Sequence, residues 1–144
     1  FNFTCKAITG DCTLIARVVN VTNPLMGKVG ILMQETLGTS PKMASVFYDC
    51  HPSYLKARTC IRTTAGANGS WGSSTITGLP VWLKLVRSGN VFTGYASGNG
   101  TTWSTITTGT VTMGGTIYVG FVDTSRSISQ LTKATFDNVS LTTP

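Results

Sequence analysis

Short runs of β-forming residues recur along the whole chain, separated by turn-forming residues about every 8 to 12 positions. In the run CTLIARVVNV, for example, Leu14, Ala16 and Val18 fall on one face of a strand. The tripeptide at 88–90, Ser-Gly-Asn, joins two such runs and is a strong hairpin signal. We find no convincing helical period of apolar residues. This pattern therefore predicts an all-β sandwich or barrel.

The composition agrees with a β protein. The chain has 144 residues, 41% of them hydrophobic and only 11% charged, with 16 glycines. That length predicts a single domain over residues 1–144 with a substantial core. Abundant Thr and Gly with little charge suit strands whose surface is polar through hydroxyl groups. No run approaches the ~18 apolar residues of a membrane-spanning helix, so no membrane span is predicted.

The net charge of +6 comes from cations spread along the chain. The nearest approach to a cluster is Lys56, Arg58 and Arg62, which alternate around Cys60. Such alternation is typical of a solvated strand face, whereas nucleic acid binding needs a denser basic patch. We therefore expect no nucleic acid partner.

The four cysteines are Cys5, Cys12, Cys50 and Cys60. Three pairings are possible, and the simplest closes two local hairpins with the disulfides Cys5–Cys12 and Cys50–Cys60. An even number of cysteines in a weakly charged, Thr-rich chain indicates an oxidising compartment. Their spacing does not fit a zinc site, so no metal is expected.

No cofactor is predicted either. A structural Ca²⁺ needs several clustered oxygen ligands. Asp11, Asp123 and Asp137 are candidates, but no dense acidic loop supports such a site.

Five Asn-x-Ser/Thr glycosylation sequons support a secreted or cell-surface glycoprotein. Asparagine also favours turns before small or β-branched residues, so the large number of sequons has a second explanation. The sequon residues are Asn2, Asn20, Asn68, Asn99 and Asn138.

Candidate catalytic groups are sparse. Glycoside hydrolysis needs two carboxylates ~5–10 Å apart, and no two acidic residues stand at i, i+2 or i, i+4. A Ser-His-Asp triad would have to use His51, the sole histidine, which lies in a probable loop and reads as a solvated turn residue. The sequence therefore predicts that the chain is not an enzyme.

Several segments together resemble a known family: VGILMQETL, IRTTAG, LPVWLKLVRSGNVFTGYASGNGTTW, GTIYVGFVDTSRS and ATFDNVSL. In this order they are similar to the concanavalin A-like (laminin G-like) jelly-roll domains appended to secreted microbial carbohydrate-active enzymes and surface proteins. The resemblance implies a two-sheet antiparallel β-sandwich with one concave sheet. Such domains carry a further strand or two before FNFTCKAITGDCTLIARV, which leaves open an N-terminal edge strand that is lacking, cleaved or supplied by another molecule.

Sugars are bound by aromatic faces together with planar polar groups. Trp71, in a Gly- and Ser-rich segment read as a loop, is the best candidate for an exposed aromatic platform, followed by Tyr54. Trp82 is expected in the core, and Trp103 is expected to pack back over the hairpin that ends at SGNGTTW. The polar candidates on one sheet are Arg62, Arg126, Glu35 and Asp123, for which an ion-pair network on a solvated face is the alternative.

These observations predict a secreted, non-catalytic carbohydrate-binding or adhesion module with a glycan or polysaccharide as its partner. The alternative is a structural subunit of an extracellular assembly, in which β-strand addition joins identical subunits at an incomplete sheet edge. A third hypothesis, that the chain is a glycan-processing enzyme, is supported by superfamily analogy alone.

Overall fold

A computed structural model describes residues 2–22, 26–125 and 132–144. Over these ranges the chain forms eleven β-strands, arranged in two antiparallel sheets. The predicted all-β, two-sheet sandwich is thereby confirmed. The strands are β1 (Asn2–Thr9), β2 (Cys12–Thr22), β3 (Lys28–Gln34), β4 (Met43–Asp49), β5 (Lys56–Arg62), β6 (Ser70–Thr77), β7 (Val81–Ser88), β8 (Val91–Ser97), β9 (Ser104–Thr110), β10 (Thr116–Thr124) and β11 (Lys133–Thr142).

The larger sheet has the strand order β1-β10-β3-β4-β5-β6, and the smaller sheet has the order β11-β2-β7-β8-β9. Strand β1 forms one edge of the six-stranded sheet, on the side where the family resemblance left room for a further strand. Within the described ranges, no helix has the length and apolarity needed to cross a membrane.

The hydrophobic core lies between the two sheets and follows from strand alternation. In β2 the buried positions recur at every second residue, including Leu14 and Val18, and β7 contributes Leu83 in the same way. The six-stranded sheet supplies Ile31 and Val46 from its two central strands. Burying each such side chain contributes about 1.5–3 kcal/mol, which makes this alternation the main determinant of the fold.

The turns and the irregular strand fall where the sequence indicates them. Gly89 has φ of 61° at the β7–β8 hairpin. The phase change near the end of the chain is a β-bulge, because the β11–β2 register shifts between Asp137 and Ser140. Asn138, within that bulge, has φ of 49°, a conformation that asparagine tolerates better than most residues. The predicted bulge is confirmed.

The SGNGTTW segment is a turn, as predicted. The side chain of Asn99 accepts hydrogen bonds from the backbone amides of Thr101 and Thr102, both at 2.9 Å. Trp103 packs on the outer face of the five-stranded sheet, with its ring centroid 4.5 Å from Lys84 Nζ. The expectation of a core position for Trp82 is wrong, because Trp82 alternates with the buried Leu83 and so faces outward.

All four cysteines are described as free thiols, so neither predicted disulfide is present. Cys5 and Cys12 belong to different sheets, because the chain changes sheets between β1 and β2. Cys5 is exposed, whereas Cys12 is buried in the core. Cys50 also belongs to the core, but Cys60 lies on the opposite face of the six-stranded sheet. Proximity in the sequence suggested both pairs. The change of sheet separates Cys5 from Cys12, and the two faces of one sheet separate Cys50 from Cys60.

Candidate functional site

The outer face of the six-stranded sheet forms a groove. Leu32, Phe47 and Cys60 are buried, yet they lie outside the cluster that packs between the sheets. They occupy the outward positions of β3, β4 and β5, so their burial comes from the loops and side chains that rise around this face. The groove has a volume of about 690 Å³.

Strand register orders the groove residues into rows that cross the sheet. The central row comprises Leu32, Ser45, Cys60 and Trp71. One neighbouring row comprises Gln34, Met43 and Arg62, and Lys28 and Asp49 lie in the row at the opposite end. Because alternate residues of a strand share a face, all of these side chains project on the same side of the sheet.

A smaller cavity of about 300 Å³ opens at the Lys28 end of the groove. Strands β3 to β6, the loop between β4 and β5, and the residue Met26 ahead of β3 supply its side chains. The cavity is lined by Met26, Lys28, Asp49, His51, Tyr54, Arg58 and Trp71. We refer to it below as the His51 cavity.

Arg58 is held rigidly in the His51 cavity. Its Nη1 donates to Asp49 Oδ2 at 2.8 Å, and its Nε donates to Ser73 Oγ at 3.0 Å. The guanidinium carbon also lies 4.1 Å from the ring centroid of Tyr54 and 5.2 Å from that of Trp71. Asp49 is almost fully buried, and its other oxygen accepts a hydrogen bond from the backbone amide of His51 at 3.0 Å. One carboxylate therefore orients both the cation and the histidine loop.

His51 presents a defined tautomer. Its Nδ1 accepts a hydrogen bond from the backbone amide of Ser53 at 3.0 Å, so in the neutral imidazole the proton is on Nε2. The ring centroid lies 5.5 Å from that of Tyr54. His51 lies in a loop, as expected, but it is half-buried and lines a cavity instead of facing open solvent.

Trp71 is the exposed aromatic residue of the groove. Its side chain is 54% exposed, and its ring meets Phe47 edge-on with 5.8 Å between centroids. Lys28 Nζ lies 5.6 Å from the same ring. The expectation that this segment is a loop is wrong, because Trp71 lies on edge strand β6 opposite Cys60.

The other predicted site residues divide into two groups. Tyr54 lines the His51 cavity, and Arg62 lines the far end of the groove. Arg62 donates to the backbone carbonyls of Ala67 at 2.9 Å and Pro41 at 3.0 Å, and so ties two loops together. Trp71, Tyr54 and Arg62 therefore share one face.

Glu35 and Asp123 do not reach that face. Glu35 follows Gln34 and has the opposite orientation, accepting a hydrogen bond from the amide of Gly114 at 3.2 Å, and it approaches Lys42 at 4.0 Å. Asp123 is the register partner of the core residue Val29 and so lies on the inner side of its sheet. Arg126 lies outside the described residues.

Sequence reasoning missed Lys28, Asp49, Arg58 and Gln34, and it set His51 aside. One signal was available: the alternation of Lys56, Arg58 and Arg62 predicts cations on one face of a strand. That face was read as solvated, but it is the floor of the groove. The remaining residues converge through the pairing of β3, β4 and β5, which a single sequence does not reveal.

The groove carries excess positive charge. Its described lining residues include Lys28, Arg58 and Arg62 but only one carboxylate, Asp49, which is paired with Arg58. Among the described residues, no ion pair involves Lys28 or Arg62. In residues 2–22, 26–125 and 132–144, no group of three His, Cys, Asp or Glu side chains can hold a metal ion. The site is thus suited to an anionic ligand.

Backbone strain is concentrated around the groove. Non-glycine residues rarely adopt positive φ, and such conformations cluster at functional sites. Met26, Ser40 and Leu55 have φ values of 59°, 50° and 49°. Met26 and Ser40 line the two ends of the groove, and Leu55 ends the His51 loop.

The fold and groove define a two-sheet β-sandwich with a cationic, aromatic-bearing face. No protein-family model and no curated protein sequence matches the chain. A solved structure of a functionally unknown protein from Saccharomyces cerevisiae is similar to it, with a TM-score of 0.79 at 17% identity over 99% of this chain and 74% of that one. An alginate lyase from Pseudomonas aeruginosa superposes with a TM-score of 0.63 at 10% identity, covering 93% of this chain and 64% of that one. An alginate lyase from Klebsiella pneumoniae gives a TM-score of 0.57 at 15% identity, with coverages of 93% and 60%.

These similarities establish a shared fold, and the chain spans less than two thirds of the length of either lyase. They nevertheless correct two expectations. The prediction of a non-catalytic binding module, with a structural subunit as its alternative, is wrong, and so is the prediction that the chain is not an enzyme: proteins that cleave polysaccharides have this same sandwich. A pair of carboxylates is a requirement for glycoside hydrolases. Its absence from the sequence does not argue against a lyase, because lyases cleave by elimination.

Proposed function

We propose that the chain is a polysaccharide lyase that cleaves an acidic polysaccharide by β-elimination in the His51 cavity. The observation that carries this proposal is the convergence of His51, Tyr54, Lys28 and Arg58 in one cavity beside the exposed ring of Trp71. Alginate, the polymer named for two solved structures with this fold, is an acidic polysaccharide. The same proposal assigns the sandwich to the concanavalin A-like type.

Elimination at a uronic acid needs three functions. A base removes the proton from the carbon next to the carboxylate, and the freed electron pair forms a C=C bond as the bond to the glycosidic oxygen breaks. That oxygen leaves with the neighbouring sugar and takes up a proton from an acid. A cation beside the carboxylate stabilises the negative charge that develops before the bond breaks.

The cavity supplies a candidate for each function. Lys28 and Arg58 neutralise the sugar carboxylate. Tyr54 reacts as the phenolate: its oxygen takes the proton from the carbon, and the phenol formed in this way returns that proton to the leaving oxygen. His51 donates a hydrogen bond towards the leaving oxygen from Nε2–H, because the Ser53 amide occupies Nδ1. Trp71 stacks against a sugar ring next to this centre, since sugar C–H patches pack on exposed aromatic faces.

The direct test is to incubate the protein with matched acidic and neutral polysaccharides and follow the ultraviolet absorbance of the new C=C bond conjugated to the carboxylate. We expect product from at least one acidic polymer and none from the neutral ones. Lys28→Met should raise KM, because it removes from the binding face a cation that has no ion-pair partner among the described residues. Lys84→Met, on the other face of the sandwich, is the matched control. Equal rates for acidic and neutral polymers would contradict the proposal.

The localisation is part of the same proposal. An enzyme for a large external polymer has to meet its substrate outside the cell, and the five sequons support secretion. The free thiols mean that disulfides no longer contribute to this argument.

A further inference from the structure

Gln34 is a largely buried residue whose side-chain amide opens to the groove and has no hydrogen-bond partner in the described part of the chain. It is only 4% exposed and lines the groove from the end of β3. Its side chain makes no hydrogen bond to any described residue, whereas the neighbouring Ser45 donates to the carbonyl of Cys60 at 3.1 Å. Buried amides are normally satisfied, and one that is open to a groove indicates a ligand that satisfies it.

The end of the groove around Gln34 is built as a chamber. Arg62 holds its two walls together through the carbonyls of Pro41 and Ala67. The backbone links the same walls, because the amide of Gly66 donates to the carbonyl of Ser40 at 2.9 Å. Ser40 itself has the strained φ of 50°. These contacts fix the loops around Gln34 before any ligand arrives.

The chamber lies far from the His51 cavity. Lys28 and Gln34 stand at opposite ends of β3, six residues apart, which corresponds to about 20 Å of extended strand. Between them the groove floor is largely apolar, through Leu32 and Phe47. A single sugar bound at the His51 cavity therefore cannot contact Gln34.

We propose that Gln34 is a specificity-determining residue at a distal subsite, where its amide oxygen and NH₂ group bind two neighbouring hydroxyls of a sugar several units along the chain from the scissile bond. An amide both donates and accepts, so it matches an uncharged hydroxyl pair better than a carboxylate. This inference rests on the proposed function for the nature of the ligand. It adds that the protein distinguishes long oligosaccharides from short ones.

The test measures binding and not cleavage. Oligosaccharides of increasing length, prepared from the acidic polymer that the protein binds, are titrated calorimetrically into a Tyr54→Phe background with and without Gln34→Met, which keeps the side-chain volume. We expect Gln34→Met to weaken binding of the longest oligosaccharides about tenfold, the effect of one to two lost hydrogen bonds, and to leave the shortest unchanged. The control variant Thr93→Val, on the outer face of the other sheet, should change the affinity for neither the longest nor the shortest oligosaccharides.

Gln34→Glu provides a second variant. It should weaken long acidic oligosaccharides more than Gln34→Met does, because it adds a negative charge to the groove. Unchanged affinity at every length, or an equal loss at every length, would overturn the proposal. Length-dependent loss in a protein that cleaves nothing would support the distal subsite while refuting the lyase, so the two proposals fail separately.

Discussion

Arg58 donates a 2.8 Å hydrogen bond to Asp49, whose side chain is only 2% exposed. The same carboxylate accepts from the backbone amide of His51. Asp49 therefore fixes the positions of both the Arg58 guanidinium and the His51 loop.

Asp49→Asn should destabilise the protein by about 3 kcal/mol, because it leaves the largely buried guanidinium of Arg58, 13% exposed, facing a neutral amide. Chemical denaturation monitored by tryptophan fluorescence measures this change. The double variant Asp49→Asn/Arg58→Gln should recover part of the lost stability, since neither charge then remains buried and unpaired. Additive losses in the double variant would show that the two side chains are not coupled.

Leu55→Gly should raise the free energy of unfolding by up to about 1 kcal/mol, because Leu55 has a positive φ that a Cβ atom disfavours. Leu55 is also 45% exposed, so little packing is lost with its side chain. Leu37→Gly is the matched control, since Leu37 is 59% exposed and has no positive φ, and it should stabilise nothing. If Leu55→Gly lowered the free energy of unfolding as much as Leu37→Gly does, the positive φ of Leu55 would not be a source of strain.

The sequence anticipated features that depend on neighbouring residues. The bulge at Asp137 followed from one slip in alternation, and the turn at Asn99 followed from its own residue types. Strand β6 was missed because Gly and Ser have low strand propensity, and Trp71 is held there by backbone pairing with β5. The His51 cavity was missed because it joins residues from four strands, and the register that aligns Lys28 with Asp49 is a tertiary property.

The ion pair between Arg17 and Asp137 should give stability a dependence on acid pH. The hydrogen bond from Arg17 is the largest cause that lowers the pKa of Asp137 below 3.8, against an opposing effect of desolvation. Because the folded-state pKa is the lower one, the stabilisation is complete above 3.8 and is lost as the pH falls through the lowered value. Asp137→Asn should therefore lower the melting temperature modestly at neutral pH and converge with wild type in strong acid. Parallel curves at all pH values would contradict this assignment.

The thiols give a direct check on the cysteine assignment. Unfolded, unreduced protein should contain four reactive thiols, and the folded protein should show rapid reaction at the exposed Cys5 alone. Burial is the main cause that raises the pKa of Cys50 to about 11, and it also raises the pKa of Cys12 and Cys60, so these three react slowly. If the unfolded, unreduced protein contained only two reactive thiols, the other two cysteines would be joined in a disulfide, and the assignment of four free thiols would be wrong.

Cleavage of an acidic polysaccharide by elimination in the His51 cavity can be followed through the ultraviolet absorbance of the unsaturated product. Wild type should form this product, and Tyr54→Phe should form it at least 100-fold more slowly, the typical contribution of a proton-transferring side chain. Tyr95→Phe, a tyrosine on the opposite face that contacts Lys84, should match wild type. No unsaturated product from wild type, or equal rates for Tyr54→Phe and wild type, would contradict the account.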